Sequence, residues 1–375
     1  MNHIGLPRVA IVGARGIPAN YGGFETFAEE IAVHLVQHYG YQITVVCDAE
    51  QNKCNNGIAE HRGVQLRYSR FAKGNNAIRY YRDSIRRVAG DHEIVYSCGP
   101  AGGMFSYIVH NHGGMMLVNP DGLNSRRSKW RWPVKIGFRV FEWLSSRLSD
   151  VVVCDSAAID DYIRSSYGIR KTYVAEYGAY ENPFINRVHV GEFLKPYGLM
   201  PSGYHLVVSR LEPENNVETI VRGFSSKVRK YPLVVVGNLK NSAYVRKLQE
   251  CASSQVRFVG GIYVPDTLSA VRAKSIAYFH GHSVGGTNPS LLEAMGSRNL
   301  CVCHDNVFNR EVVGEFGLFF SSANEVDNLI GEIENGASDE RFESMRTGVL
   351  ERVRSYYNWE NMARKYDVLF RQAMK

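Results

Sequence analysis

The chain has 375 residues, of which 45% are hydrophobic, and its 44 Lys and Arg against 37 Asp and Glu give a formal net charge of +7. This length suits about two domains of roughly 150 residues each, and the hydrophobic content excludes a disordered or fibrous chain. The positive charge is unevenly spread. Arg62 to Arg87 holds eight basic residues and one acid, and Gly122 to Arg147 holds seven and one, so we expect the basic surface in the first half.

Cysteine and histidine usage predicts neither disulfides nor a metal site. Seven cysteines, an odd number scattered over a long chain, do not suit a disulfide framework, so we expect reduced and mostly buried thiols. His110 and His112 form a pair without a third His or a nearby carboxylate in the sequence, and we predict no metal there. No apolar run reaches the 18 residues of a membrane span, and we expect a soluble, cytoplasmic protein.

Short apolar runs rich in Val and Ile recur along the chain and predict strands. Because the runs are continuous rather than alternating, we expect strands buried on both faces, as in a parallel sheet covered by helices. In chain order the predicted strands are Val9–Val12, Ile43–Cys47, Ile94–Ser97, Met116–Asn119, Val151–Cys154, Leu206–Ser209, Leu233–Gly237, Arg257–Val259, Ala277–His280 and Leu300–Cys303. Helix-period segments lie between them, the first ending at Gly40, and together they predict the doubly wound α/β class.

The strand-helix pattern lapses around residues 179–201, a mixed stretch that contains Pro183, Pro196 and Pro201. We predict the domain boundary there, with a first domain over 1–185 and a second beginning at 186. Two such halves form a central cleft, and ligands of open α/β sheets bind beyond the carboxyl ends of the strands. The functional residues are therefore expected in the loops that follow strands.

A glycine-rich loop from Gly13 to Thr26 leads from the first predicted strand into a helix. Its four glycines allow backbone to approach a ligand closely, and a helix N-terminus attracts phosphate. One alternative is a tight turn without a ligand. Another is a dinucleotide fingerprint, since Gly13, Gly16 and Ala19 follow a G-x-x-G-x-x-A spacing, but Pro18 interrupts the turn and disfavours a nicotinamide cofactor.

Two loops of the second half also have the features of a phosphate site. After the predicted strand that ends at His280, Asn288 is a good N-cap and Pro289 suits the first helical position, so the amides that follow are expected to be free for an anion. Glu293 lies about one turn further on and could accept hydrogen bonds from a ribose; the alternative is a capped helix with an exposed Glu. Arg210, after another strand, could neutralise a departing diphosphate, or form a surface ion pair with Glu212 or Glu214.

Together these segments resemble glycosyltransferase family 4, and within it the bacterial polysaccharide branch that includes rhamnosyltransferases. The matching segments are Asn20–Thr26, Val118–Leu123 followed by Lys129-Trp130, Ser209–Asn216, and His280–Ser290 with Glu293. The resemblance covers nearly the whole chain and ends at Tyr357–Trp359, which is similar to the start of the last helix of GT-B enzymes. It implies a GT-B fold of two Rossmann-like domains with a central cleft, in which a helix over about 357–375 crosses back to the first domain. The second domain, 186–356, would hold a nucleotide sugar and the first the acceptor, with no metal and with retention of configuration.

Residue by residue, the resemblance gives Arg210 the role of the diphosphate arginine and Glu293 that of the second Glu of a paired-Glu motif, which holds the ribose. The chain departs from the family twice. Asn215 stands where many relatives have Lys, and Arg15 is a candidate to replace that charge. Gly285 stands where the first Glu of the pair would contact the donor sugar.

The contacts to the sugar are therefore assigned to His282, Ser283 or Thr287, and a deoxy sugar such as rhamnose suits a less polar pocket. The complete set of donor-binding candidates is Gly22, Gly23, Arg15, Asn215, His282, Ser283, Gly286, Thr287, Asn288, Ser290, Leu291 and Glu293. The acceptor-binding candidates are Asn20, Tyr21, Glu25 and Asp121, and the catalytic candidates are Arg210 and Asp121. The alternative for Asp121 is a cap on the turn at Gly122.

We predict transfer of a sugar, rhamnose from dTDP-rhamnose or else the sugar of a UDP- or GDP-sugar, to a glycan or lipid-linked glycan acceptor of bacterial surface polysaccharide, without a cofactor. The first alternative is an NAD-dependent oxidoreductase or sugar epimerase, for which Asp48 at the end of the second strand could bind an adenosine ribose. The second alternative is a two-domain sugar-binding protein without chemistry.

We also predict peripheral binding to the inner face of the cytoplasmic membrane. Basic residues alternate with aromatic ones in one segment, as suits an anionic headgroup interface. The residues are Arg126, Arg127, Lys129, Arg131, Lys135 and Arg139 among Trp130, Trp132, Phe138, Phe141 and Trp143. The alternative is a helix whose aromatic residues face the core; no nucleic-acid motif accompanies the charge, and we predict no nucleic-acid partner.

Overall fold

The computed structural model describes residues 5–19, 22–54, 57–74, 76–121, 132–240, 242–336 and 339–375. They divide into two compact units. The first runs to Gly178 and includes Trp359–Lys375 at the end of the chain, and the second contains Ala179–Asn358. Each unit is built around one β-sheet with helices.

The first unit contains an eight-stranded sheet with the strand order β3-β4-β2-β1-β5-β6-β7-β8. Its strands are β1 (Val9–Val12), β2 (Ile43–Cys47), β3 (Glu60–His61), β4 (Val64–Tyr68), β5 (Ile94–Cys98), β6 (Met115–Asn119), β7 (Val151–Cys154) and β8 (Thr172–Val174). All neighbours are parallel except β3 and β4. The strand order reverses between β1 and β5, so the loops that follow these two strands flank the switch point of the sheet.

The second unit contains a six-stranded, fully parallel sheet with the order β11-β10-β9-β12-β13-β14. Its strands are β9 (His205–Val208), β10 (Leu233–Val236), β11 (Val256–Gly260), β12 (Ala277–His280), β13 (Leu300–His304) and β14 (Leu318–Phe320). Numbered within the unit, this is the order 3-2-1-4-5-6 of a doubly wound nucleotide-binding sheet, and its switch point lies between β9 and β12. The predicted doubly wound α/β class is confirmed in both units.

The continuous apolar runs identified the central strands but not β3, β4, β8 and β14. In β4 the residues alternate, with Val64 and Leu66 buried and Gln65 exposed, and the other three strands have only two or three residues. A rule that requires a continuous buried run therefore misses strands that are very short or that alternate between buried and exposed residues.

The helices of the first unit are α1 (Gly23–His34), α2 (Ala49–Cys54), α3 (Ala77–Arg86), α4 (Ser106–His110), α5 (Trp132–Leu148), α6 (Ala157–Tyr167) and, at the end of the chain, α15 (Trp359–Ala373). A π-helical turn, Leu35–Tyr39, extends α1 and ends at Gly40 with φ of 76°. This left-handed conformation favours glycine, and it confirms Gly40 as the predicted terminator.

The helices of the second unit are α7 (Gly191–Leu194), α8 (Val217–Phe224), α9 (Ala243–Glu250), α10 (Pro265–Ala273), α11 (Pro289–Gly296), α12 (Val307–Val313), α13 (Ala323–Asn335) and α14 (Glu340–Ser355). Across the described part of the chain, none of the helices is both long enough and apolar enough to cross a membrane. All seven cysteines are free, and five of them are buried.

Helix α15 is part of the core of the first unit although it follows the second unit in the chain. The ring of Tyr366 is fully buried and lies 5.2 Å from the ring of Phe27 and 5.7 Å from that of Tyr96, between ring centroids. The hydroxyl of Tyr41 donates to Asp367 Oδ1 over 2.9 Å. The first unit is therefore complete only when the last 17 residues are present.

We predict that Tyr366→Ala destabilises the protein by about 3 to 5 kcal/mol, because a fully buried aromatic ring is replaced by a cavity. Val368→Ala is the control on the same helix, since Val368 is 40% exposed, and we expect it to cost only about 1 kcal/mol. Chemical denaturation of the two variants measures the difference, and equal losses of stability would contradict the docking of α15.

Candidate functional site

In the second unit, the loops that follow β9 and β12 contact each other at the switch point. The amide and the hydroxyl of Ser283 both donate to the carbonyl oxygen of Glu214, over 3.1 and 2.9 Å. The side-chain amide of Asn216 donates to the carbonyl oxygen of Gly281 over 2.8 Å. A Cβ atom at Gly281 would overlap the carbonyl oxygen of Asn215, so the approach of the two loops requires glycine.

Arg210 lies in the loop that follows β9 and is exposed. Its backbone carbonyl accepts from the amide of Glu212 over 2.9 Å and from the side-chain amide of Asn215 over 2.7 Å. Asn215 is buried, and its only donating group is therefore used to shape the loop. The Arg210 residue itself is exposed and has no ion pair within the described ranges, so the alternative of a surface ion pair with Glu212 or Glu214 is not what the structure contains.

The N-terminus of α11 differs from the expectation. The Asn288 side chain accepts from the Ser290 amide over 3.0 Å, and the Asn288 carbonyl accepts from the amides of Leu291 and Leu292 over 3.0 and 3.1 Å. These amides are already paired, so they are not free for an anion as predicted, and the Leu291 side chain lies in the core. Among the described residues, the amides of Gly285 and of buried Gly286 donate to no protein acceptor, and they are two donors that an anion could use.

Glu293 is partly solvent-exposed and is held from below by a residue that sequence reasoning missed. Its Oε2 lies 2.5 Å from Nη2 of Arg272, and the two side chains are 45% and 6% exposed. Arg272 comes from α10, in a segment whose sequence gave no signal for function, since an Arg near the end of a surface helix is ordinarily solvated. Only the packing of α10 beside α11 places it under Glu293.

A ladder of aromatic rings runs along one face of β12 towards the same edge. The rings of Tyr278 and His280 are stacked with 6.0 Å between centroids, and those of His280 and His282 with 4.3 Å. His280 is fully buried, and neither ring nitrogen has a hydrogen-bond partner. Burial, and then the nearby rings of His282 and His304, lower the pKa of His280 well below its usual value. Thr287 is buried close by in the chain, in the loop before α11.

In the first unit, the glycine-rich loop after β1 folds around a carboxylate. Glu25 is buried, and its Oε1 accepts from the backbone amide of Arg15 over 2.8 Å. A Cβ atom at Gly22 would overlap Oε2 of Glu25, so Gly22 makes room for that carboxylate, and Gly23 begins α1. The side chain of Arg15 is exposed. Asn20 and Tyr21 lie outside the described residues.

A second carboxylate of the first unit, Asp121, follows β6. Its backbone has a positive φ of 62°, and its amide donates to Asn119 Oδ1 over 2.8 Å. Burial raises the pKa of the Tyr81 hydroxyl, and the charges of Asp121 and Glu25 raise it further, which places both carboxylates around Tyr81. Gly122 lies outside the described residues, so the alternative role as a cap on that turn stays a prediction.

Lys73 brings a cation to this edge that the sequence did not indicate. Its Nζ lies 5.5 Å from the ring centroid of Phe24 and 6.0 Å from that of Tyr81. Its charge also opposes the effect of burial, which raises the pKa of the Cys98 thiol. The described residues at the carboxyl edge of the first sheet therefore include Lys73 beside Glu25 and Asp121, polar groups that suit the hydroxyl groups of a ligand.

Asp48 does not have the geometry that a dinucleotide site requires. Its Oδ1 accepts from the amides of Glu50 and Gln51 over 3.0 and 2.9 Å, and its Oδ2 accepts from the amide of Lys73 over 3.2 Å. The residue is buried. Because both oxygens already cap α2 and the loop after β4, Asp48 is not available for a ribose.

The structure places a carboxylate beside His110, in the segment for which no metal is predicted. Nε2 of His110 lies 2.8 Å from Oδ2 of Asp150, so a carboxylate is nearby that the sequence spacing did not reveal. Within the described ranges, no three or more His, Cys, Asp or Glu residues are grouped as a metal site would require.

Comparison with known proteins identifies both halves of the chain. Residues 200–347 match the family described as "Glycosyl transferases group 1", and residues 6–180 match a family described as "Domain of unknown function (DUF1972)". The O-antigen chain mannosyltransferase B of Escherichia coli is 26% identical over 177 residues, which cover 45% of each protein. The chain therefore matches less than half the length of that relative.

Solved structures resemble the chain over almost its full length. A glycosyltransferase from Rickettsia africae has 13% identity and a TM-score of 0.75, covering 98% of this chain and 99% of its own. A sucrose-phosphate synthase from Thermosynechococcus elongatus has 16% identity and a TM-score of 0.79 with the same coverage. Anabaena HepE in complex with UDP-glucose has 13% identity and a TM-score of 0.72, covering 97% and 99%. At these identities the likeness concerns the fold, and the predicted GT-B fold is confirmed.

We predict that His280→Leu stabilises the protein, because a buried polar group without partners costs about 1 to 3 kcal/mol. The gain should be larger at pH 5.5 than at pH 8. The folded state keeps His280 neutral while the unfolded state takes up a proton below about pH 6.5, so the wild type loses stability as the pH falls. Denaturation curves at both pH values test this against His112→Leu, at an exposed position; the same gain at both pH values would contradict it.

Proposed function

We propose that the chain is a glycosyltransferase that moves a sugar from a nucleotide-sugar donor to a glycan acceptor in the synthesis of a bacterial surface polysaccharide. The observation that carries the proposal is the exposed Arg210, without a protein counter-charge in the described structure, at the switch point of a sheet within the matched family region. The relative from Escherichia coli is named for O-antigen synthesis, which supports a polysaccharide product. An NAD-dependent oxidoreductase is disfavoured, because the acid it would need, Asp48, is already bonded.

The leaving group of such a reaction is a nucleoside diphosphate, and its charge grows as the bond to the sugar breaks. Arg210 offers a full positive charge, and the unpaired amides of Gly285 and Gly286 offer two hydrogen bonds that require no reorganisation. Glu293 would accept from the ribose. Solved neighbours include HepE in complex with UDP-glucose, which supports a nucleotide-sugar donor here.

The donor proposed for this chain is dTDP-rhamnose, transferred with retention, with a mannose donor or a UDP-sugar as the alternatives. Gly285 supports a less polar sugar pocket, because it brings no carboxylate to the position where the first Glu of the family motif would contact the sugar; the space around its Cβ position is open. Its φ of 126° also disfavours any residue with a side chain. His282 and Thr287 remain the candidates for contacting the sugar, since the hydroxyl of Ser283 is bonded to Glu214.

The acceptor is proposed to bind at the carboxyl edge of the first sheet. Glu25 and Asp121 would accept hydrogen bonds from sugar hydroxyls, and Lys73 would donate to them. Asp121 is partly exposed, which lets it reach a ligand, whereas buried Glu25 is committed on one oxygen to the amide of Arg15.

We predict that Arg210→Ala lowers kcat by about a hundredfold to a thousandfold, as the loss of one preorganised donor does at other oxyanions, without changing the thermal unfolding temperature. Release of nucleoside diphosphate from a panel of dTDP-rhamnose, GDP-mannose and UDP-glucose measures the rate. Arg310→Ala, which removes another exposed guanidinium of the same unit, is the control and should keep the wild-type rate. Near-normal turnover in Arg210→Ala would reject the role of the guanidinium.

A lipid-linked acceptor would be met at a membrane, and we propose that α5 is the element that binds there. The buried side chains of α5 are polar ones, Glu142, Ser145 and Ser146. Its large apolar side chains point outwards, with Trp132 exposed to 73% and Val140 to 55%. Trp143 is also exposed, whereas Phe138 and Phe141 are partly buried, so the exposed tryptophans favour the membrane proposal over a helix whose aromatic residues all face the core.

We propose an anionic bilayer as the partner of this outward face because the face is positively charged. The three basic residues of α5, Lys135, Arg139 and Arg147, are partly or fully exposed, whereas its only acid, Glu142, is buried and accepts from the Tyr167 hydroxyl. Bulky apolar side chains mixed with cations suit the boundary between headgroups and acyl chains. The other residues of the predicted membrane segment, Arg126, Arg127, Lys129, Trp130 and Arg131, lie outside the described residues.

We predict that the protein sediments with vesicles containing anionic lipid, that binding falls as salt rises, and that Trp132→Ser combined with Arg139→Ser removes most of it. Each basic side chain near such a surface contributes about 1 kcal/mol. Val307→Ser combined with Val368→Ser, which changes exposed apolar residues elsewhere, should leave binding intact. Equal binding to neutral and anionic vesicles, or to neither, would reject the membrane proposal.

A further inference from the structure

We infer that Arg272 is a positioning residue that orients the carboxylate of Glu293 for the ribose of the donor; this rests on the proposed function, in which Glu293 is the ribose acceptor. Nothing in the sequence pointed to Arg272, and it is too deeply buried to meet a ligand by itself. Its action would be exerted wholly through Glu293.

In the ion pair of Arg272 and Glu293, the arginine is buried and the glutamate is exposed to solvent. The Arg272 guanidinium is 6% exposed, and its Nη2 lies 2.5 Å from Oε2 of Glu293, which is 45% exposed. Nε of Arg272 is buried without a hydrogen-bond partner. One oxygen of Glu293 is therefore fixed by a charge beneath it, while the exposed part of the carboxylate faces solvent, where a ligand can reach it.

Arg272 also ties this carboxylate to the strand that leads to Arg210. Its Nη2 lies 3.5 Å from Oγ of Ser290, which is bonded to the Tyr278 hydroxyl over 2.7 Å. Both hydroxyls lie 3.2 Å from the carbonyl oxygen of Val208, the last residue of β9. Through these contacts Glu293 is linked to the backbone of Val208, two residues before Arg210, the proposed diphosphate arginine.

Because Arg272 is buried and Glu293 is not, removing the charge of one partner costs more stability than removing the charge of the other. A buried guanidinium is expensive to keep without a counter-charge, so removing the Glu293 charge leaves an uncompensated cation in the interior. Removing the Arg272 charge instead leaves a carboxylate that is already partly in water. The variant Arg272→Met should therefore fold, because a buried cation is replaced by an apolar side chain of similar length, whereas Glu293→Ala should lower the unfolding temperature.

The expected contribution to binding is the ordering of the acceptor before the ligand arrives. A free glutamate must lose its rotamer freedom on binding, and immobilising one such side chain costs about 0.5 to 1.5 kcal/mol, which corresponds to a loss in affinity of up to about tenfold. If Arg272 only stabilised the fold, replacing it would lower stability but would not change the preference for a nucleotide that has the ribose hydroxyl over one that lacks it. Discrimination at the ribose hydroxyl is thus the informative readout.

The experiment is calorimetric titration of the full-length protein with UDP, GDP and dTDP and with the 3′-deoxy form of each. For the wild type we expect the tightest of the three to bind more strongly than its 3′-deoxy form. For Arg272→Met we expect up to about tenfold weaker binding of that nucleotide, unchanged binding of the 3′-deoxy form, and a near-normal unfolding temperature. Glu293→Gln should lose the same discrimination. Arg346→Met, which alters another mostly buried arginine of this unit, is the control and should match the wild type.

The outcomes separate the inference from the function on which it rests. Loss of discrimination in Glu293→Gln but not in Arg272→Met would overturn the role of Arg272 and leave the proposed function intact. Unchanged discrimination in both variants, or no binding of any of the three nucleotides by the wild type, would overturn the ribose role of Glu293 and the inference with it. If Arg272→Met does not fold, Arg272→Lys, which keeps the charge but not the planar fork, must show partial loss of discrimination, and full discrimination in that variant would overturn the inference.

Discussion

The proposed donor site depends on one constraint, the reversal of strand order between β9 and β12. At that point neighbouring strands send their connections to opposite faces of the sheet, and the loops after them are left side by side. The hydrogen bonds from Ser283 to Glu214 and from Asn216 to Gly281 join the two loops. These bonds occupy the side chains of Ser283 and Asn216, whereas Arg210 is exposed and the amides of Gly285 and Gly286 have no acceptor within the described residues.

Two arginines of the second unit show how burial decides the use of a charge. Arg210 lies in solvent and, within the described ranges, has no acid against it, so its charge is available to a ligand that brings its own anion. Arg272 lies beneath the surface and is bound to Glu293, so its charge is spent inside the protein and acts only through its partner. In the sequence nothing distinguishes them, because each is an arginine near the end of a strand or helix. Burial also distinguishes the faces of α5: its buried Ser145 lies so close to the 3-10 helix Pro100–Phe105 that a Cβ atom at Gly103 would overlap it.

The first unit differs from the second in the chemistry of its carboxyl edge. Glu25, Asp121 and Lys73 are gathered around the buried ring of Tyr81, whereas the second unit offers an arginine and backbone amides. Hydroxyl groups of a sugar and the phosphates of a nucleotide are distinguished by just such a difference. The acceptor role of the first unit and the donor role of the second remain proposals.

The sequence by itself determined the α/β class, the central strands and the loops in which function should be sought, because a continuous apolar run and a strand-to-helix glycine loop are local patterns. It also identified Arg210, Glu25 and Glu293 as candidates. The tertiary structure decided which polar groups are free. Asn288 accepts from amides of α11, the Asn215 side chain donates within the Arg210 loop, and Asp48 accepts from amides of α2. The tertiary structure alone brought Arg272 and Lys73 to these edges and turned the apolar face of α5 outwards. These features arise from contacts between residues distant in the chain, and no spacing along the sequence encodes which partner a polar group will meet.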